Sequence, residues 1–156
     1  MKTLLILVGK TTDKQFQAGI TDYVERIGHY MPFELVTITE LKNTKSLTEE
    51  QQKTAEGELI LKQIQTSDTV VLLDEHGREW RSIEFARWLE QKRNTARRLV
   101  FIIGGPYGFS PAVYARANEQ LSLSKMTFSH QMIRLVFTEQ VYRACTIIRG
   151  EPYHHE

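Results

Sequence analysis

Apolar residues in this chain fall into short solid runs separated by stretches where they recur every three or four positions. "TLLILVG" (Thr3–Gly9) and "LVFII" (Leu99–Ile103) are apolar almost throughout, the pattern of strands covered on both faces. "TVVLLD" (Thr69–Asp74) reads the same way, and "EHG" after it reads as a turn. "FELVTIT" (Phe33–Thr39) alternates and is rich in β-branched residues, so it predicts a strand with one more open face. "QLSLS" (Gln120–Ser124) predicts a short fifth strand.

Helical spacing fills the gaps. Phe16, Ile20, Tyr23, Val24 and Ile27 share one face of a helix over 14–27, with Gly28 placed to end it. Ser46 with Glu49 forms a capping-box pattern for a polar helix to about Gln65, interrupted by Gly57. Ser82 caps a third helix, whose core face is Ile83, Phe85, Ala86, Trp88 and Leu89. Ser110 and Pro111 open a short fourth helix to about Asn118. A long last helix from about His130 to Arg149 turns Val136, Phe137, Val141, Ala144 and Cys145 to one side, and Gly150 ends it. Strands alternating with helices predict an α/β fold, a parallel sheet with helices on both faces. Strand order is not legible in such a pattern.

Length and composition (156 residues, 41% hydrophobic, 25% charged) suit one domain spanning 1–156 that ends in a short polar tail, 151–156. No apolar run is long enough to cross a membrane, and Leu4–Val8 is too short for a signal peptide. A single cysteine allows no internal disulfide, which fits a reducing, cytoplasmic setting. A net charge of +1 carries no global signature of a nucleic-acid binder. Between Arg78 and Arg98, however, basic residues (Arg78, Arg81, Arg87, Lys92, Arg93, Arg97, Arg98) outnumber Glu79, Glu84 and Glu90. That segment reads either as a solvated helix face or as the place of a local anionic partner.

Candidate chemistry centres on "LVFIIGGPYGFSPA", Leu99–Ala112, where a buried strand runs into glycines and then a helix. Gly104 and Gly105 are adjacent, Pro106 follows, and no lysine comes after Gly108, so neither a dinucleotide fingerprint nor a phosphate-binding P-loop is present. Glycines at the carboxyl end of a parallel strand still let backbone approach a ligand closely, although a plain strand-to-helix turn would use them too. There is no G-x-S-x-G elbow, and Cys145 falls on an apolar helix face, which makes it core. His29, His76, His130, His154 and His155 show no metal-ligand spacing, so no metal is expected. The end of the first strand lacks the paired acidic residues of a receiver domain.

Three segments together carry a resemblance: "VVLLDEHGR" (Val70–Arg78), "FIIGGPYGFS" (Phe101–Ser110) and "LSLSKMTFSHQMIRLVFTEQVYRA" (Leu121–Ala144), closed by "GEPYHHE". With them the chain closely resembles the bacterial ribosomal RNA large-subunit pseudouridine N3-methyltransferase H family of the SPOUT superfamily. The likeness extends over essentially the whole chain, including the "VGK" turn at Val8–Lys10. It implies a C-terminal trefoil knot, an exception to the rule that chains do not thread themselves. It also implies a homodimer, S-adenosyl-L-methionine as methyl donor, and a pseudouridine of large-subunit (23S) rRNA on the assembled ribosome as acceptor.

Carried over by position, the resemblance implies cofactor contacts at Leu73, Gly104, and the loop Leu123, Ser124, Lys125, Met126, Thr127 and Phe128. A flat, largely apolar adenine suits Leu and Met side chains beside free backbone groups. Tyr153 and His154 match the family's closing "PYH", with His154 the expected proton acceptor and Tyr153 a group to stack on or bond to the base. Arg134 and Arg143 are expected near RNA phosphate or a developing anion, although their nine-residue spacing keeps them off one helix face. Glu139 and Arg143 alternatively form an i,i+4 pair. Two rival readings are a SPOUT enzyme acting on another RNA such as tRNA, and a non-catalytic ribosome-binding module.

Overall fold

A computed structural model describes residues 1–155. Glu156, the last residue of the expected tail, lies outside the described residues. The elements are β1 (Lys2–Val8), α1 (Lys14–Gly28), β2 (Phe33–Ile38), α2 (Glu49–Lys62), β3 (Thr69–Glu79), α3 (Ser82–Thr95), β4 (Arg98–Ile103), α4 (Pro111–Arg116), β5 (Glu119–Ser122) and α5 (Met132–Arg149). All strand pairs are parallel, in the order β2-β1-β4-β3-β5.

The solid apolar runs follow from helices on both faces of this sheet. Leu5 and Leu7 of β1, Val71 and Leu73 of β3, and Phe101 and Ile103 of β4 point to one side. There they meet Ile27 of α1, Phe85 and Leu89 of α3, and Phe137 and Val141 of α5. Leu4 and Ile6, Val70 and Leu72, and Val100 and Ile102 point to the other side, against Ile60 of α2 and Val113 of α4. Because successive strand residues face opposite ways, a strand buried on both faces must be apolar at every position. Phe101 anchors the first side, its ring edge-on to Phe137 at 4.9 Å between centroids.

Local signals hold with three corrections. The α2 capping box uses Thr48 and Gln51, not Ser46 and Glu49: Thr48 Oγ1 accepts from Gln51 N (3.1 Å), and Gln51 Oε1 accepts from Thr48 N (2.9 Å). Ser46 is instead spent in the short 3-10 turn Thr44–Ser46. At α3 the start is capped by Glu84 accepting from Arg81 N (2.8 Å), while Ser82 Oγ donates to Gln140 on α5.

The third correction bears on function. β3 does not turn at "EHG" but resumes pairing with β5, so that both Leu73 and Arg78 register with Leu121. Residues 74–77 bulge out between them. Gly77 is required there, since a Cβ would lie 2.6 Å from Leu121 N. Gly57, an oddity within α2, is likewise explained by packing, because a Cβ would come within 2.4 Å of Ser110 Oγ at the α4 cap.

Candidate functional site

The carboxyl ends of β3 and β4 open onto a cleft of about 590 Å³. Its walls are the bulge Asp74–His76, the glycine turn Gly104–Phe109 with Tyr114, and Thr127–His130 with Ile133. An adjoining cavity of about 110 Å³ runs under Leu73 and Leu121–Ser124 to Met126–Phe128. Seven of the eight expected cofactor residues therefore converge on one place: Leu73, Gly104, Leu123, Ser124, Met126, Thr127 and Phe128. Lys125 lines neither space.

Each wall has a local cause. Gly108 sits at φ +82, a left-handed conformation that L side chains rarely adopt, and its N–H donates back to Gly105 O (3.1 Å) to close the turn. Gly104 has no room for a side chain, because Phe109 folds back to within 2.9 Å of where a Cβ would stand. The loop after β5 is shaped by its own serines. Ser122 Oγ donates to Ser124 O, and Ser124 Oγ accepts from Met126 N, both at 2.9 Å. This leaves the Met126 side chain 81% exposed at the rim.

The bulge brings polar groups that sequence reasoning did not single out. Asp74 accepts from the Tyr114 hydroxyl and, at 2.9 Å, from His76 N. Burial and the Asp74 carboxylate push the Tyr114 phenol up. The volume, walls that mix apolar and polar groups, the more apolar adjoining cavity and two carboxylates, Asp74 and Glu75, suit a nucleoside-sized ligand that carries positive charge. Among the described residues no three His, Cys, Asp or Glu side chains gather as a metal site, and no helix is long and apolar enough to cross a membrane. Cys145 is buried in the core, and burial pushes its thiol up to about 11.

Arg134 is not on the cleft surface, contrary to expectation. It is fully buried. Its Nη2 donates to Val8 O (2.8 Å), Nη1 to Gly9 O (2.9 Å) and Thr11 Oγ1 (3.0 Å), and Nε to His130 O (3.1 Å). Gln131 adds bonds to Thr12 N and Lys10 O. The "VGK" turn is thus the stretch that the start of α5 grips.

The tail folds back along α5, away from the cleft. Tyr30 donates to Glu151 Oε2 (2.6 Å), a bond that, with burial, pushes the Tyr30 phenol to about 12. Tyr153 donates to Glu139 Oε1 (3.0 Å) and packs edge-on to Tyr142. Burial and its bonds to Tyr23 and Glu139 push the Tyr153 phenol up. Arg143 makes the i,i+4 pair with Glu139 (2.6 Å), lies over the Tyr153 ring, and donates from Nη1 to His154 Nδ1 (3.1 Å). Nδ1 of His154 is thereby an acceptor, and Nε2 is buried. Arg143 lies eleven residues beyond Met132, roughly 16 Å along the helix. Within one chain, Tyr153 and His154 do not meet the cleft.

Comparison with known proteins agrees with this architecture. The family model described as "Predicted SPOUT methyltransferase" matches residues 1–154. A Bacteroides fragilis protein is 64% identical over 157 aligned positions covering all of both chains, a Phocaeicola vulgatus protein 61%, and a Bacteroides thetaiotaomicron protein 59%. Each of the three bears the name Ribosomal RNA large subunit methyltransferase H. The chain belongs to the SPOUT methyltransferase family.

Proposed function

We propose that the protein methylates N3 of a pseudouridine in large-subunit rRNA, taking the methyl group from S-adenosylmethionine. The observation that carries this reading is the cleft, in which segments distant in sequence meet at the carboxyl ends of β3 and β4. Relatives of full length named for large-subunit rRNA methylation support the substrate. A ribosomal substrate places the protein in the cytoplasm.

The cofactor, when bound, supplies a methyl already activated on a sulfonium. The chain's part is to hold and orient. Leu73, Leu123 and Phe128 offer an apolar slot for the adenine, and the glycine turn offers backbone at close range. The carboxylates of Asp74 and Glu75 favour a cationic ligand. Holding the acceptor nitrogen in line with the methyl can supply roughly 7–11 kcal/mol of the barrier.

The tail enters through a homodimer. Because Tyr153 and His154 are held far from their own cleft, they contribute to methyl transfer by facing RNA at the cleft of a second copy. A composite surface of this kind also suits a chain with a net charge of only +1, which has little to hold free RNA. The trefoil knot belongs to the same reading. It is supported by the loop 123–131, which crosses the strand ends from β5 at the sheet edge to the grip of Arg134 on β1. Mechanical extension from both termini should stop short of the full contour length; full extension would exclude the knot.

The experiment is transfer of labelled methyl from S-adenosylmethionine to ribosomes lacking the modification, to separated subunits, to free rRNA and to tRNA. The proposal expects label in the large-subunit RNA of assembled ribosomes. Label in tRNA alone would favour the other SPOUT reading, and cofactor binding without transfer to any RNA would favour a binding module.

A further inference from the structure

His130 lies in the loop before α5 and lines the cleft beside Thr127, Phe128 and Ile133. Its side chain is exposed and makes no hydrogen bond or ion pair among the described residues. Its backbone, in contrast, is fixed. The His130 carbonyl accepts from Arg134 Nε, and the same buried guanidinium is locked onto Val8, Gly9 and Thr11. A fully buried arginine is costly to maintain unless its donors are used, and here four N–H groups are. The result is an imidazole free to move only about its own side-chain torsions, carried on an anchored piece of backbone.

Of the other titratable groups of the cleft, Asp74 and Tyr114 are bonded to each other, and His76 lies on the bulge with its ring exposed beside Glu75, without a comparable anchor beneath its backbone. Asp74 accepts from Tyr114 and from His76 N, and Glu75 lies 3.5 Å from His76 Nε2. Tyr107 contributes a phenol hydroxyl, which can donate or accept a hydrogen bond. His154 presents no open ring nitrogen in its own chain. The acceptor N3–H must lose its proton, and an imidazole is the ordinary side chain that takes one up near neutrality.

We propose that His130 is the proton acceptor for the N3–H of the acceptor base, with Arg134 its positioning residue; this rests on the methyl-transfer reading above. The N3–H proton passes to an imidazole nitrogen of His130, and N3 forms the new bond to the methyl carbon. The carbon–sulfur bond breaks with its electron pair left on sulfur. Charge balances, since a sulfonium and a neutral imidazole become a thioether and an imidazolium. Groups sharing the cleft with His130 are Asp74, Glu75 and His76 from the bulge, Tyr107 from the glycine turn and Tyr114 from α4. Arg134 lies beneath its backbone, and Lys10 sits on the loop that Gln131 grips.

The test compares wild type, His130→Ala, His130→Gln, His76→Ala and Arg134→Lys. Three readouts are taken: methyl transfer to unmodified ribosomes between pH 5.5 and 8.5, S-adenosylmethionine affinity by calorimetry, and melting curves. His130→Ala and His130→Gln should each lower kcat about 100-fold or more at neutral pH. Their cofactor Kd should stay within twofold of wild type. They should also lose the rise of kcat with pH that wild type and His76→Ala keep. Arg134→Lys should lower kcat more than it raises KM. A kcat within threefold of wild type in His130→Ala, or a pH rise that persists there, overturns the inference while leaving the methyltransferase standing. Wild type that binds cofactor but methylates no ribosomal particle overturns the functional reading, and this assignment with it.

Discussion

Arg134 Nη2 donates to the carbonyl of Val8 at 2.8 Å across 126 residues of chain, joining the start of the last helix to the end of the first strand. Removing the side chain would leave the buried carbonyls of Val8 and Gly9, and the part-buried carbonyl of His130, short of a donor. Arg134→Ala should therefore lower the free energy of unfolding by about 2–4 kcal/mol, with Arg134→Lys recovering part of the loss. Urea denaturation reads both. A loss under about 0.5 kcal/mol for Arg134→Ala would contradict the anchoring role.

Asp68 and Arg98 form a second buried tie, at the opposite ends of the strands. Arg98 donates from Nε (2.9 Å) and Nη2 (2.6 Å) to the Asp68 carboxylate, which also accepts from Gln65 N. Burial alone would raise this carboxyl, but the bonds from Arg98 and Gln65 outweigh it and hold it below its ordinary value. A depressed carboxyl contributes stability that is present above its unfolded value and lost as pH falls through the folded one. Arg98→Ala should cost roughly 3 kcal/mol at neutral pH, because it leaves a buried carboxylate unpaired. That cost should shrink as the pH falls and Asp68, left buried without Arg98, takes up a proton in the variant; acid titration of the unfolding midpoint is the check.

Glu56 has the opposite sign. It is 7% exposed, its Oε1 has no hydrogen-bond partner among the described residues, and it sits against Gly105, where a Cβ would lie 2.8 Å from that oxygen. Burial raises its carboxyl and Glu40 adds to the effect, outweighing the hydrogen bond from Gln52 that lowers it. A raised carboxyl contributes stability that is fully present below its unfolded value and lost as pH rises through the folded one. Glu56→Gln should accordingly stabilise the protein at pH 7–8, by about 1 kcal/mol. The gain should vanish near pH 4, as unfolding curves at the two pH values would show. Equal effects at both would remove ionisation from the account.

Deleting 151–156 should leave S-adenosylmethionine affinity within twofold and abolish methyl transfer. The described part of the tail, 151–155, is held by Tyr30, Glu139 and Arg143, and among the described residues it lines none of the cleft walls of its own chain. Gly104→Trp should instead lose S-adenosylmethionine binding, and with it methyl transfer, since any side chain there displaces the Phe109 ring of the cleft wall; the tail stays intact. Mixed dimers of the two variants should regain activity, since one of their two clefts would have both an open pocket and an intact tail from its partner. Failure of the mixture to rise above either variant alone would count against a tail that serves the second copy.

The extent to which the sequence was informative follows from the range of each interaction. Apolar runs and helical spacing report burial over a few neighbouring residues, so the five strands, the parallel sheet and the Ser110–Pro111 helix start were legible. Ser46 and Thr48 both head a capping-box pattern, and only the 3-10 turn decides between them. The bulge at 74–77 depends on β5 pairing with β3 twice, a fact about a strand forty residues away. Cofactor-site positions came from the resemblance rather than from periodicity, and geometry brings seven of the eight together. Nothing local to Arg134 announces that its partners are Val8 and Gly9 rather than RNA phosphate or a developing anion. His130 stood among the histidines without metal spacing, and its place in the cleft became visible only when Phe128 and Ile133 turned to the same wall.

The measurement that bears most directly on the central claim is nucleoside analysis of ribosomes treated with the protein and isotopically labelled S-adenosylmethionine. Large-subunit RNA would be digested and resolved by mass spectrometry. The account predicts a labelled methyl on pseudouridine, at N3, in the wild-type reaction, and none with Gly104→Trp. Label on a different nucleoside, or a signal that survives Gly104→Trp, would contradict it.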